Sequence, residues 1–167
     1  DVKEAELARV LKDLGEERFA RRIARAIVNA RREGPIERTA HLDGIISAAN
    51  PRWEPNKHPA TRSFQAIRLH INCELESLQD ALSAALSVLA KGGRLAGISF
   101  HSLEDRIVKR FIRSASRGRQ LPPGVPITLQ EQQVSLKPIG KAVRPSPTEV
   151  AANSRARSAV MRIAERI

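Results

Sequence analysis

The sequence predicts an α/β protein in which an arginine-rich helical module is joined to part of a sheet. Three observations carry this prediction. Apolar residues recur at intervals of three and four over residues 4–90, which is the spacing of one helical face. A short apolar run at residues 95–100 stands between a glycine pair and a helix-capping pattern, which favours a buried strand of parallel type. A second run, residues 158–164, predicts a final strand.

Composition excludes several classes of protein. With 167 residues and 41% hydrophobic residues the chain can bury a real core. No apolar stretch reaches the roughly 20 residues of a membrane helix, and no signal-peptide pattern stands at the front. The single cysteine, Cys73, excludes an internal disulfide and a cysteine-rich zinc site. We therefore expect a cytoplasmic protein without membrane association or bound metal.

Charge indicates the kind of partner. Lys and Arg number 29 against 18 Asp and Glu, which gives a formal net charge of +11. Arginine supplies 22 of these basic residues, and its planar guanidinium suits bidentate contacts with phosphate. A nucleic acid is therefore the first candidate partner. Aromatic residues are only 3% of the chain, which argues against a protein that stacks many unpaired bases.

The helical spacing divides into segments. We expect helices over residues 4–14, 16–32 and 39–49, then a proline-rich loop, then a long helical pattern over residues 61–90 with a candidate break at 72–73. Basic residues lie in the first half of that long pattern and acidic residues in the second. This change of composition predicts a domain boundary between residues 1–72 and 73–167.

Two basic groups are candidate phosphate contacts. Arg18, Arg22 and Arg25 align on one face of the second helix with no acid at i+4. Such a stripe is either a solvated face or a phosphate-binding face, and the pattern leaves both open. The loop at residues 51–59 adds Lys57 and His58, followed by Arg62 at the start of the next helix, and Trp53 of this loop is expected to cover the helical core.

His101 and Ser102 follow the predicted strand at residues 95–100 and open the next helix. Ligand crevices of open α/β sheets lie at this edge, so both residues are site candidates together with Ser99. The alternative is that Ser102, with Asp105 three residues on, only caps the helix and that His101 only packs beside it. Arg106 faces outward on this helix.

No local motif specifies a reaction. The sequence contains no Cys-x-x-Cys or His-x-Glu zinc pattern and no Gly-x-Ser-x-Gly elbow. Gly92-Gly93 precedes the strand, whereas the glycines of phosphate-binding loops follow one.

Four blocks carry a resemblance to a known family. They are GEERFARRIARAI at residues 15–27, KHPATRSFQAIR at 57–68, GGRLAGISFHSLEDRIVKR at 92–110 and NSRARSAVMRIAER at 153–166. In this order the chain closely resembles the ribosomal RNA small subunit methyltransferase H family of bacteria over its whole length. The resemblance implies transfer of a methyl group from S-adenosylmethionine to the N4 amino group of a cytidine in 16S rRNA.

The resemblance also implies an architecture. The family has a Rossmann-like methyltransferase domain interrupted by a helical substrate-recognition domain. On that template, residues 1–72 are the helical RNA-recognition subdomain and residues 73–167 are the carboxyl-terminal part of the methyltransferase domain. The implied partners are 16S rRNA and the small ribosomal subunit, and a homodimer is left open.

The family's glycine-rich cofactor loop, acidic ribose contact and catalytic motif match nothing in this sequence, so no catalytic or cofactor-binding residue is assigned. Most of the cofactor site is expected in an amino-terminal half absent from this chain, and the chain alone is expected to be inactive. Ser99, His101 and Ser102 remain as a wall that contacts the target base. The candidate RNA contacts are Arg18, Arg22, Arg25, Lys57, His58, Arg62 and Arg106. A non-catalytic basic module that docks on the ribosome is the alternative function.

Overall fold

The computed structural model describes residues 2–53, 58–118 and 134–167. The chain forms two compact units, Asp1–Glu74 and Leu75–Ile167. The boundary lies two residues beyond the end of the predicted helical subdomain. The two units are described separately below.

The first unit is helical. It contains α1 (Glu4–Gly15), α2 (Ala20–Glu33), α3 (Thr39–Ala49) and α4 (Thr61–Ile71). Its core is formed by apolar residues of these helices, with Leu11, Ile23, Ile27 and Ile46 at most 1% exposed. The four predicted helical segments are therefore present, because each carries an apolar face that packs against the others.

Helices α1 and α4 approach closely at Gly15. A Cβ at this position would lie 2.6 Å from the backbone oxygen of Arg62 and 3.1 Å from Cβ of Ala66. Only a residue without a side chain fits there without moving the backbone. Gly15 therefore sets the close contact between α1 and α4.

The second helix begins later than the sequence predicts. Glu16 has φ 51° and ends α1 in the left-handed conformation, and its neighbour Glu17 is only 5% exposed. The Glu17 carboxylate accepts a hydrogen bond from the Phe19 amide at 3.1 Å. The carboxylate therefore lies beside the start of α2, where its negative charge interacts favourably with the helix dipole.

The long helical pattern is broken where the sequence suggests. Helix α4 ends at Ile71 and α5 (Glu74–Val88) begins three residues later. Between them Cys73 has φ 49°, which interrupts the helical backbone.

The second unit packs helices on a small sheet. Strands β1 (Arg94–Ser99), β2 (Leu136–Val143) and β3 (Val160–Arg166) form the sheet in the order β1-β3-β2. Helix α6 (Ser102–Arg117) packs on all three strands, with Val108 and Ile112 in a core shared with Leu82, Leu136 and Ala164. The α/β class is thus confirmed.

The prediction that β1 is a buried strand of a parallel sheet is wrong for the described residues. Both β1 and β2 pair with β3, and both pairings are antiparallel. On β1 only Ser99 is buried, while Ile98 is 60% exposed. Because β1 and β2 both oppose β3, they run in the same direction, but they are not neighbours. The Rossmann-like arrangement implied by the resemblance therefore remains a prediction.

The remaining elements follow the local signals approximately. Helix α6 begins at Ser102, directly after the predicted strand, and ends at Arg117. Helix α7 (Pro147–Ala152) begins at Pro147 because the Ser146 hydroxyl accepts a hydrogen bond from the Glu149 amide at 3.1 Å. A 3-10 turn at Ser154–Ser158 then leads into β3.

In the described segments, every helix is too short or too polar to cross a membrane.

Candidate nucleic-acid interface

The junction of β1 and α6 is held by His101 and Glu104. The Nδ1 atom of His101 accepts a hydrogen bond from the Glu104 amide at 3.4 Å, so His101 is the N-cap of α6. In return, Oε2 of Glu104 accepts the Phe100 amide at 2.8 Å. These two bonds satisfy amides around the start of α6 and fix the direction in which the chain leaves β1.

The other ring nitrogen of His101 is the unusual group at this junction. Because Nδ1 accepts, the neutral ring carries its proton on Nε2. This nitrogen is buried and makes no hydrogen bond with the described residues, although Oε1 of Glu104 lies 3.3 Å away. The side chain is 13% exposed. The junction therefore holds a nitrogen whose orientation is set by Nδ1 and that faces the Glu104 carboxylate at 3.3 Å outside hydrogen-bond geometry.

The predicted cap of α6 by Ser102 and Asp105 is wrong. The helix does begin at Ser102, but His101 occupies the cap position. Asp105 instead accepts two hydrogen bonds from Arg162 of β3, from Nε at 2.7 Å and from Nη2 at 3.0 Å. The Asp105 carboxylate, which the local pattern predicts as a cap, therefore forms a bidentate ion pair with Arg162.

This ion pair changes both ionisations. Hydrogen bonding by Arg162 lowers the pKa of Asp105, and burial opposes this effect. The positive charges of Lys109 and Arg144 lower the pKa of Asp105 to a smaller extent. The same bond raises the pKa of Arg162. Asp105 is thus held ionised, and it ties α6 to β3 beside the candidate wall.

The three wall residues are adjacent but differ in exposure. Ser99 ends β1 and is 2% exposed, His101 is mostly covered, and Ser102 is exposed at the first turn of α6. His101 and Ser102 are therefore brought to the carboxyl end of a strand and the amino end of a helix, as predicted. Their contact with a base stays a prediction.

The arginine stripe of the first unit is exposed. Arg22 and Arg25 lie on α2, whereas Arg18 lies in the turn before it. The Nε atom of Arg25 is 3.5 Å from Oε1 of Glu4, a partner that comes from α1 and not from α2 itself. Since both side chains are well exposed, this pair adds little stability and leaves the stripe strongly positive.

The remaining candidates have separate surroundings. Lys57 lies outside the described residues. The Nδ1 atom of His58 lies 3.4 Å from the Ala60 amide and 3.5 Å from Oδ1 of Asp43. Nη1 of Arg62 donates to the backbone oxygen of Glu16 at 2.8 Å, so this guanidinium also joins α4 to the end of α1.

Two further side chains complete the comparison with the sequence predictions. Arg106 is exposed on α6. Trp53 is 62% exposed, so the expectation that it covers the helical core is wrong. Among the residues with described positions, no group of His, Cys, Asp and Glu is arranged to hold a metal ion.

Sequence reasoning missed two residues that shape the β1–α6 junction. Glu104 stands three residues after His101, which is the spacing of a capping box, but His is not a residue of that pattern, so the sequence contains no capping signal there. Arg162 is 57 residues from its partner, so no local spacing reveals the pair.

Comparison with known proteins places these features in a family. The family model described as the MraW methylase family matches residues 1–167. The chain belongs to the MraW methylase family.

Three curated relatives of similar sequence carry the same name. The ribosomal RNA small subunit methyltransferase H of Nitrosococcus oceani is 57% identical over 167 residues, which are 99% of this chain and 53% of that protein. The protein of the same name from Legionella pneumophila strain Paris is 55% identical over 162 residues, 97% of this chain and 53% of its own length. That of Chromohalobacter salexigens is 57% identical over 99% of this chain and 50% of its own length. The chain thus spans about half the length of the curated relatives that it matches.

Proposed function

We propose that this protein acts in the methylation of 16S rRNA, at the N4 amino group of a cytidine, with S-adenosylmethionine as the donor. The observation that carries the proposal is the match of the family model to residues 1–167, together with relatives named as small subunit rRNA methyltransferases. The substrate is the 16S rRNA of the small ribosomal subunit, and the proposed site of action is the cytoplasm.

The first part of the proposal concerns RNA binding by the helical unit. Arg22 and Arg25 present exposed guanidinium groups on α2, and Arg18 is exposed in the turn before it, in a chain of net charge +11. Phosphate contacts of this kind fix the position of an RNA without reading its bases. We assign the stripe, with Lys57, His58 and Arg62, to the rRNA backbone.

The second part concerns the target nucleotide. The ring of His101 is oriented through Nδ1, and its buried Nε2 lies 3.3 Å from Oε1 of Glu104 without forming a hydrogen bond to the described residues. This nitrogen would donate to an acceptor on the nucleotide once that acceptor takes the place of Oε1 of Glu104. We assign Ser99, His101 and Ser102 to a wall that positions the target base, with Arg106 on the adjoining turn of α6 as a backbone contact.

The described residues do not fit S-adenosylmethionine. The paired glycines precede β1, and their amides are used within the fold: Gly92 donates to the Arg166 oxygen and Gly93 to the Ala90 oxygen. The start of α6 is closed by Glu104. We therefore assign these residues to binding and positioning of RNA, and we derive no step of methyl transfer from them.

A non-catalytic ribosome-docking module is the second candidate function, and the poor fit to the donor favours it. Calorimetry of this 167-residue chain with S-adenosylmethionine gives a first result. We expect no measurable heat of binding, and tight binding would contradict our assignment of the donor pocket to residues outside this chain.

Methyl transfer separates the two functions directly. The complete gene product is incubated with unmethylated small ribosomal subunits and methyl-labelled S-adenosylmethionine, and the 16S rRNA is digested to nucleosides. We expect the label in N4-methylcytidine. Label in another nucleoside would refute the N4 assignment, and binding to subunits without label would favour the docking module.

A further inference from the structure

Helix α6 carries a second basic face that none of the assignments above uses. After Asp105 the helix contains no acidic residue, and its exposed side chains include Lys109, Arg110, Arg113 and Arg117. Together with Lys141 of β2 these residues are called the α6 basic face. Its members make no ion pair with the described residues, whereas Glu104 of the same helix binds the Phe100 amide and Asp105 pairs with Arg162.

The arginines of this face point in one direction. Positions 110, 113 and 117 follow each other at intervals of three and four, so at 100° per residue they share one side of the helix. They span roughly 10 Å along the axis at 1.5 Å per residue. A row of guanidinium groups on this scale meets several charges of an extended polyanion, not one isolated anion.

The face is concave in two places. Arg110, Arg113 and Arg117 line a cleft of about 380 Å³ with Ser114 and Gly118. A smaller cleft of about 190 Å³ lies between α6 and the sheet, where Lys109 and Arg113 meet Lys141. The cations are thus grouped around depressions with room for phosphate groups.

The fold holds this face rigid. The opposite side of α6 is buried through Leu103, Val108 and Ile112, and the Asp105–Arg162 pair ties its first turn to β3. Charges fixed on a packed helix lose less freedom on binding than charges on a loop.

We propose that the α6 basic face is a second phosphate-binding surface of the protein, and that it holds the backbone of the substrate rRNA. The inference rests on the proposed function, because that function supplies the polyanion. On this proposal the second unit binds the rRNA backbone through the α6 basic face, in addition to the stripe of the first unit. Each unit of the chain then contributes its own contact with rRNA. Arginine is suited to the task because its planar group can meet two phosphate oxygens.

The test uses the complete gene product with three substitutions, Arg110→Gln, Arg113→Gln and Arg117→Gln. Binding to 16S rRNA and to intact small subunits is measured from low to moderate salt. Each lost phosphate contact lowers the slope of log K against log salt by about 0.7–0.9. We expect the slope to fall by about 2 to 3. A slope equal to that of the wild type would overturn the inference.

Two control proteins isolate the cause. Arg9→Gln, Lys12→Gln and Lys91→Gln remove the same charge from exposed positions outside α6, and this control should keep most of the slope. Arg110→Lys, Arg113→Lys and Arg117→Lys keep the charge, so their slope should be close to that of the wild type. Equal losses in the glutamine variant and the control would show a general charge effect and would overturn the inference.

The two forms of substrate distinguish the partners. A loss on naked 16S rRNA and on small subunits supports an RNA contact. A loss on subunits alone would indicate a ribosomal protein and would refute the RNA assignment. Methyl transfer by the wild type is measured in the same preparations: its absence contradicts the proposed function, whereas methyl transfer with unchanged slopes contradicts only the α6 surface.

Discussion

The carboxylate of Asp105 receives two hydrogen bonds from the guanidinium of Arg162, at 2.7 Å and 3.0 Å. The pair joins the first turn of α6 to the middle strand of the sheet. It lies next in sequence to Glu104, whose carboxylate binds the Phe100 amide at the end of β1. Adjacent acidic residues therefore fix the first turn of α6 at two points beside His101.

Asp105→Asn is expected to lower the free energy of unfolding by about 1–2 kcal/mol at pH 7, because a charge-assisted pair that is only partly exposed is lost. The pKa of Asp105 is lowered in the folded protein. Its contribution is therefore present above the usual value of 3.8 and is lost as pH falls toward the lower folded value. Urea unfolding at several pH values should show the difference between wild type and variant shrinking below about pH 4. A difference independent of pH would contradict this account.

Gly15→Ala is expected to destabilise the helical unit by about 1–3 kcal/mol, because the new Cβ would lie 2.6 Å from the Arg62 backbone oxygen. Gly44→Ala on α3 is the matched control, since a Cβ there meets nothing within 4 Å. It should stabilise the protein by about 0.5–1 kcal/mol through helix propensity. Thermal unfolding of both variants measures the contrast, and equal effects of the same sign would show that the α1–α4 contact is not tight.

Two substitutions separate the capping role of His101 from its proposed contact with a nucleotide. His101→Ala removes the cap and should cost about 1 kcal/mol of stability. His101→Asn keeps a good capping side chain but removes the Nε2 donor, so stability should be nearly unchanged. Methyl transfer by the Asn variant should still fall about tenfold, the equivalent of one hydrogen bond of about 1.4 kcal/mol. Full activity of the Asn variant would show that His101 caps α6 and does not contact the nucleotide.

Replacing Arg18, Arg22 and Arg25 with Gln should weaken rRNA binding and reduce its salt dependence. Up to three phosphate contacts are lost, so the slope of log K against log salt should fall by about 2. The corresponding Lys variant retains the charges and serves as the control. Equilibrium binding across a salt series measures the slope for both variants. An unchanged slope in the Gln variant would show that the stripe is a solvated face without phosphate contacts.

The sequence predicts the helices well and the sheet poorly, for a physical reason. The apolar spacing of α1 to α5 is local, and so is the break near Cys73, so both are visible in the residues themselves. The partner of β1 is β3, which lies more than 60 residues away and runs in the opposite direction. A short apolar run predicts a strand but carries no information about the direction of its neighbour.

At the candidate site, too, local sequence patterns predict positions of residues but not their distant partners. The strand-end position of His101 follows from the sequence, but its role as the cap does not. Asp105 fits the local capping pattern, yet its carboxylate binds the guanidinium of Arg162 from β3. Trp53 is 62% exposed, which its place in a proline-rich loop does not reveal.

Nucleoside mass spectrometry of 16S rRNA from cells with and without the intact gene tests the central claim most directly. We expect N4-methylcytidine in rRNA from cells that carry the gene and its loss when the gene is deleted. Restoring the gene should restore the modification, and restoring it with Arg18, Arg22 and Arg25 changed to Gln should do so less completely. Unchanged N4 methylation after deletion would contradict the claim that this protein acts on that base.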